Sequence, residues 1–204
     1  MSTRSLFPTR LYEADLVEAK GGAELLAGLE HAAHVLARED RAGRAWCRAH
    51  GYGGYTSYSS LDDLPRRMPE FAELKRRLDR HVAAFGAELG FDGGRPRLDS
   101  LWVNLLKPGA AHSGHIHPRS VISGTLYLAI PQGAGAIRFE DPRLQLMMHA
   151  PRRRADLPEG ERAFLPVAPR PGVLLLWESW LRHEVLPNAA RAPRISVSFN
   201  HDWG

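Results

Sequence analysis

"PGVLLLWESWLRHEVLPNAARAPRISVSFN", residues 171–200, holds three strand signals in one short stretch. A Pro171-Gly172 turn releases Val173 to Trp177, a continuous apolar run of the kind that forms a strand buried on both faces. Trp180, Leu181 and His183 open a second strand, with Val185 on the face of His183. Pro187-Asn188 breaks it. In the third, Arg194, Ser196, Ser198 and Asn200 share one face and Ile195, Val197 and Phe199 share the other, because successive side chains on a strand point to opposite sides. Short strands separated by turn residues build a sandwich or a barrel rather than a parallel sheet.

Working outward, the period of two begins near Leu98 and runs to the C-terminus. It predicts strands over 98–106, 121–130, 135–140, 163–167, 173–177, 182–186 and 194–200, divided by Lys107-Pro108-Gly109, Pro131-Gln132-Gly133, Arg170-Pro171-Gly172 and Pro187-Asn188. Before residue 97 the period is helical. Leu25, Leu29, Ala32 and Leu36 share one face of a helix over 22–38. Phe71, Leu74, Leu78, Val82, Phe85 and Leu89 do so over 69–89, where Pro69 suits a first turn. Between them, "HGYGGYTSYSSLDDLP" (50–65) reads as loop. Two helices are too few for a bundle, so they are expected to pack outside one sheet and blunt its edge. The fold class is mainly β with N-terminal helices. The expected organisation is a single domain, 1–204, with a helical layer and loops over 1–96 and a β core over 97–204.

The 204 residues suffice for one real core, and no apolar run approaches a membrane span. The N-terminal segment lacks the apolar region of a signal peptide, and Cys47 is the one cysteine, so a cytoplasmic protein is expected. The net charge is +4, carried almost wholly by arginine, since lysine occurs only at 20, 75 and 107. Only Arg152, Arg153 and Arg154 cluster, in a Pro- and Gly-containing stretch that reads as a solvated loop. No aromatic interleaving accompanies them, so no nucleic-acid partner is expected.

The chemistry concentrates in "HSGHIHPRSVISGTLYLAIP", residues 112–131. On an extended backbone His115 and His117 face the same side and can reach one metal ion. His112 has the opposite parity and ranks behind them. His31, His34, His50 and His81 read as helix-surface or loop residues. His183 alone would be an ordinary structural histidine. Eleven residues on, however, Arg194 and Ser196 would form a carboxylate receptor if the polar face of that strand looked into a barrel, because a guanidinium binds a carboxylate through two parallel hydrogen bonds. Asn104, on the face of Trp102, and Tyr127, on the face of Thr125, are softer pocket candidates. Trp177 and Trp180 read as packing residues. Loops 50–60 and 141–162 are expected to form the pocket lip.

Together these residues carry a resemblance. "HIHPRSVISGTLYLAIPQGAGAIRFEDPR" (115–143) and "PGVLLLWESWLRHEVLPN" followed by "RISVSFN" resemble a bacterial and phage family of 2-oxoglutarate/iron(II) oxygenases, over roughly residues 100–204 and weakly the "LFPTRLY" opening. That family carries an H-x-H-P-x-S-x-x-S-G-x-x-Y block and a P-S-W-L-x-H-x-V-x-P-N block. Glu178 stands where it commonly has proline. The resemblance implies a double-stranded β-helix, the cupin-like jelly roll. It implies Fe(II) as cofactor and 2-oxoglutarate as cosubstrate, with Arg194 and Ser196 on the distal carboxylate and Asn104 and Tyr127 nearby. The reaction implied is C–H oxidation by O₂, coupled to decarboxylation of 2-oxoglutarate to succinate.

One departure bears on the metal. The usual facial triad is two histidines and a carboxylate, and the carboxylate position here is His117. The favoured set is His115, His117 and His183. A two-histidine site with His117 behind it, or recruitment of Asp141, are the other readings. Three histidines also suit a zinc hydrolase or hydratase, a 2-oxoglutarate-independent dioxygenase, or a non-catalytic cupin-like binding module. None of these gives Arg194 and Ser196 a reason. The expected partners are O₂ and a small-molecule or peptide substrate, with a homodimer as the expected assembly if the chain associates.

Overall fold

The computed structural model describes residues 2–154 and 156–204. Among the described residues, ten strands form two antiparallel sheets. They are β1 (Tyr12–Asp15), β2 (Gly54–Thr56), β3 (Pro96–Leu106), β4 (His112–His115), β5 (Ile122–Ala129), β6 (Ile137–Glu140), β7 (Phe164–Val167), β8 (Val173–Glu178), β9 (His183–Val185) and β10 (Arg194–Trp203). The larger sheet has the order β1-β8-β5-β10-β3-β2 and the smaller β4-β9-β6-β7. Four α-helices precede most of them: α1 (Gly22–Glu39), α2 (Arg41–Ala49), α3 (Leu64–Arg67) and α4 (Pro69–Leu89).

Every strand and both long helices expected from the sequence are present. The first half supplies more than helices and loops, however, because β1 and β2 join the two ends of the larger sheet. The sequence reading placed neither as a strand, and β2 lies in the stretch read as loop. They are held by the backbones of β8 and β3, which offer a paired edge. The helices therefore do not blunt an edge; they cover the outer face of the larger sheet.

Local chemistry sets the helix ends. Pro69 occupies the first turn of α4, and Gly90, at φ 80°, closes it in the left-handed region that glycine enters without strain. Asp40 caps α2 by accepting the Gly43 N–H at 2.9 Å. Its carboxylate also accepts from Tyr55 and Ser60, tying the cap to the loop that carries β2.

The alternation along β5 and β10 divides the interior. Leu126, Val197 and Phe199 pack with Leu29, Phe71, Leu78 and Phe85 under the helices. Tyr127 faces the other way and packs with Phe139, Leu175 and Trp177 between the sheets. The polar face of β10 thus turns into the jelly roll rather than toward water, and Arg194, Ser196 and Asn200 are all buried. Gly124 marks how tightly the helix side is filled, because a Cβ there would sit 2.4 Å from Phe199 Cζ and 2.7 Å from the Leu175 carbonyl oxygen. Gly124→Ala is expected to cost about 1–3 kcal/mol by overpacking. A lowered urea midpoint with unchanged slope would show it; an unchanged midpoint would mean that Phe199 can move.

Candidate active site

Antiparallel pairing of β4 with β9 sets His115 directly opposite His183, with ring centroids 4.4 Å apart. His117 lies just past the end of β4, where its N–H donates to the Ser179 carbonyl at 3.0 Å. Its ring stands 5.1 Å from that of His115 and 5.3 Å from that of His183. One nitrogen from each of the three falls within 4.8 Å of the others. Among the described residues no carboxylate joins this group.

The ring orientations suit a cation. His183 Nδ1 lies 2.9 Å from the Leu181 carbonyl, and His115 Nδ1 lies 2.7 Å from the Ser113 carbonyl. A carbonyl oxygen only accepts, so each Nδ1 carries the proton and each Nε2 keeps its lone pair for a metal. Burial, reinforced by the neighbouring histidines, pushes His183 down to about 3 and His117 to about 4. His112 is lowered to about 4 by burial and by Arg194.

These shifts fix the sign of a pH effect. The folded protein keeps the rings neutral, while the unfolded chain takes up protons below about 6.5. Stability of the metal-free protein is therefore full above pH 6.5 and falls as the pH drops toward 4. His183, 4% exposed, contributes about 1.4 kcal/mol per pH unit across that window. Urea titrations at pH 7 and pH 5 read this directly. Equal stability at both would mean that the rings are not held neutral.

The histidines line a cavity of about 520 Å³ that also reaches Arg194, Ser196, Asn104 and Ser198. Arg194 is 2% exposed, its Nε has no hydrogen-bond partner, and no ion pair reaches it among the described residues. Its guanidinium lies over the Tyr127 ring, 5.0 Å from the centroid. Burial lowers its pKa. Ser196 sits on the same face, with Tyr127 directly across on β5.

Asn104 is fixed on three sides. Its carbonyl accepts from Tyr52 at 3.2 Å and Thr56 at 3.0 Å, and its amide donates to Ser198 at 3.0 Å, leaving one N–H without a partner among the described residues. Tyr127 lies behind the cavity wall, its ring under the Arg194 guanidinium and its buried hydroxyl without a hydrogen-bond partner among the described residues. Asp141 lies in a turn, bound by both oxygens to Arg143 at 2.9 Å, a pairing that lowers its pKa.

Several wall residues escaped the sequence reading. His112, with the wrong parity for the metal, bonds Tyr52 Oη through Nε2 at 2.8 Å and faces the same cavity as Arg194. Tyr52, Thr56, Tyr58, Trp46 and His50 come from the first half of the chain, and the available signal was the Gly- and Tyr-rich composition of 50–60. That half of the lip lies where it was expected. Among the described residues, none from 141–154 or 156–162 lines the cavity. Trp177 packs edge-on against His183 and also lines the cavity, whereas Trp180 is 47% exposed and packs no core.

Three convergent histidines and an arginine without an ion pair in one cavity between two β-sheets offer donors for a metal ion and a receptor for an anion. Residues 100–200 match the family model described as "Putative 2OG-Fe(II) oxygenase". The chain belongs to this family and is a 2-oxoglutarate- and iron(II)-dependent oxygenase. Among solved structures it is similar to a prolyl-4-hydroxylase of Pseudomonas putida, at 18% identity and TM-score 0.65, over 96% of this chain and 92% of that one. It is similar also to EctD of S. alaskensis with 2-oxoglutarate and 5-hydroxyectoine, at 16% and 0.65 over 96% and 72%. HygX of Streptomyces hygroscopicus with nickel and 2-oxoglutarate gives 16% and 0.57 over 96% and 82%. These likenesses establish the double-stranded β-helix fold. No curated protein matches the sequence. Among the described residues no helix is long and apolar enough to cross a membrane.

Proposed function

We propose that His115, His117 and His183 hold the iron(II) and that Arg194, assisted by Ser196, receives the distal carboxylate of 2-oxoglutarate, in a hydroxylase acting on a C–H bond. The observation that carries this reading is the unpaired guanidinium of Arg194. A buried cation without a counter-ion is costly, and an incoming carboxylate in the same cavity as the histidines removes that cost. Three neutral imidazoles leave the metal at +2, and with the Arg194 cation the 2-oxoglutarate dianion brings the site from a formal +3 to +1. When bound, iron(II) and 2-oxoglutarate supply the oxidation of substrate by O₂, with release of succinate and CO₂.

The chain's own residues do the positioning. The carbonyls of Ser113 and Leu181 hold two of the rings with Nε2 free. Trp177 and Phe139 pack against His183 and exclude water from it. Asn104, fixed by Tyr52, Thr56 and Ser198, keeps one N–H for the cosubstrate, and the Tyr127 ring supports the guanidinium by a cation–π contact. A zinc hydrolase would leave Arg194 unexplained. A cytoplasmic location belongs to the same reading, supported by the one buried, unpaired Cys47.

The test is anaerobic titration of the metal-free protein with iron(II) and 2-oxoglutarate. A visible charge-transfer band that needs both components is expected. Binding of either one without the band would favour a zinc or binding-module reading.

A further inference from the structure

The cavity is charged in one sense only. Among the residues that line it, Arg194 alone carries a permanent charge, and none is Asp, Glu or Lys. With three neutral imidazoles, a divalent ion, the 2-oxoglutarate dianion and Arg194 sum to a formal +1. A second cation would meet no counter-charge on the wall, in surroundings where charges interact far more strongly than in water.

The mouth, by contrast, is aromatic. Tyr58, Trp102 and His117 form a row leading inward. Tyr58 stands edge-on to Trp102, with centroids 5.1 Å apart at 72°, and Trp102 lies 6.1 Å from His117. Tyr58 is 61% exposed at the outer end of the row, and Ile116, between the two histidines, is 44% exposed. Trp46, stacked on His50 at 4.2 Å, lines the same cavity. Large apolar side chains left in water around a cavity are surface that a ligand covers, and ring edges and faces at this spacing favour another ring over an aliphatic group.

We propose that the prime substrate is a small compound with a flat aromatic ring and a neutral or anionic substituent, without a cationic group, and that its ring docks on the Tyr58–Trp102 row. The charge part rests on the iron and 2-oxoglutarate assignment above; the ring part stands on the side chains alone. The cavity volume of about 520 Å³ falls in the small-molecule range.

The test uses protein saturated with nickel(II) and 2-oxoglutarate, which binds without turnover, and reads the tryptophan fluorescence of a lining set that includes Trp46, Trp102 and Trp177. The probes are phenylacetate, phenylacetamide, phenethylamine and cyclohexylacetate. Saturating 2-oxoglutarate keeps the anions off Arg194. Phenylacetate and phenylacetamide are expected to bind, phenethylamine about tenfold more weakly or worse. Cyclohexylacetate is expected to bind roughly three- to tenfold more weakly than phenylacetate. Tyr58→Ala should erase the preference for the ring over cyclohexyl while nickel and 2-oxoglutarate affinities stay unchanged.

Phenethylamine binding as tightly as phenylacetate would overturn the charge assignment. Cyclohexylacetate matching phenylacetate, or no ring probe binding at all, would overturn the docking assignment. Failure of the wild type to take up nickel and 2-oxoglutarate together would instead sink the cofactor reading, and with it the +1 on which the charge preference depends.

Discussion

His115→Ala and His183→Ala are each expected to lose iron under anaerobic loading, and His117→Ala to lose it as well. This is the largest effect expected of any substitution in the protein. Disturbing a group that merely orients a metal ligand costs about 10- to 100-fold in affinity, and deleting the ligand should exceed that. The two strand residues are directly paired and each is oriented by a carbonyl, so their loss removes a prearranged donor. His117 decides between the competing sites. Its ring is as near to the other two as a third ligand requires, and no carboxylate stands in its place among the described residues. Full iron occupancy with an unchanged spectrum in His117→Ala would establish a two-histidine site. Recruitment of Asp141 would require it to leave Arg143. His112→Ala is the control and is expected to bind iron normally, because its Nε2 is turned to Tyr52.

The second large effect is on the cosubstrate. Arg194→Ala is expected to weaken 2-oxoglutarate binding by roughly 10- to 150-fold, since a hydrogen bond to a charged group is worth about 1.5–3 kcal/mol, while iron binding survives. Ser196→Ala removes one hydrogen bond to the same carboxylate and leaves the guanidinium in place, so it should cost less, roughly tenfold. Arg194→Lys should rescue only in part, because an ammonium cannot present the planar fork or lie flat over the Tyr127 ring. A stability measurement separates this role from a structural one. A buried cation with no ion pair opposes folding of the free protein, so Arg194→Met should leave the cosubstrate-free protein as stable as wild type or more so. A structural arginine would show the reverse. If wild type and Arg194→Ala bind 2-oxoglutarate equally well, or neither binds it, the assignment of Arg194 fails.

The two halves of the site differ in how they could be read. His115, His183, Arg194 and Ser196 lie on strands, where a period of two states which side chains share a face; His117, just past β4, was read by carrying that period beyond the strand's end. That local geometry is legible without a fold. Asn104 was legible as a face-mate of Trp102, but not as the acceptor for Tyr52 and Thr56, which lie some 50 residues earlier in the chain. Tyr127 was read as sharing the face of Thr125; only packing shows that its ring lies under the Arg194 guanidinium. Parity set His112 behind the other histidines as a ligand, and it stands outside their group; its place on the cavity wall, bonded to Tyr52, needed the tertiary structure.

What the sequence determined by itself is local and periodic: two long helices from steps of three and four, seven strands from alternation, their turns, and a histidine pair followed at a distance by a histidine and an Arg-x-Ser. Such patterns depend only on backbone geometry and on which face of an element is apolar. What only the tertiary structure decided depends on which surfaces meet. A polar face on β10 is the same in sequence whether it looks to water or into a barrel, and the helices settled it by covering the opposite face. The strands β1, β2 and β4 are three or four residues long and owe their conformation to the neighbours they pair with. The aromatic mouth brings residues 46–58 against residues 102–117, a juxtaposition that no period within either segment encodes.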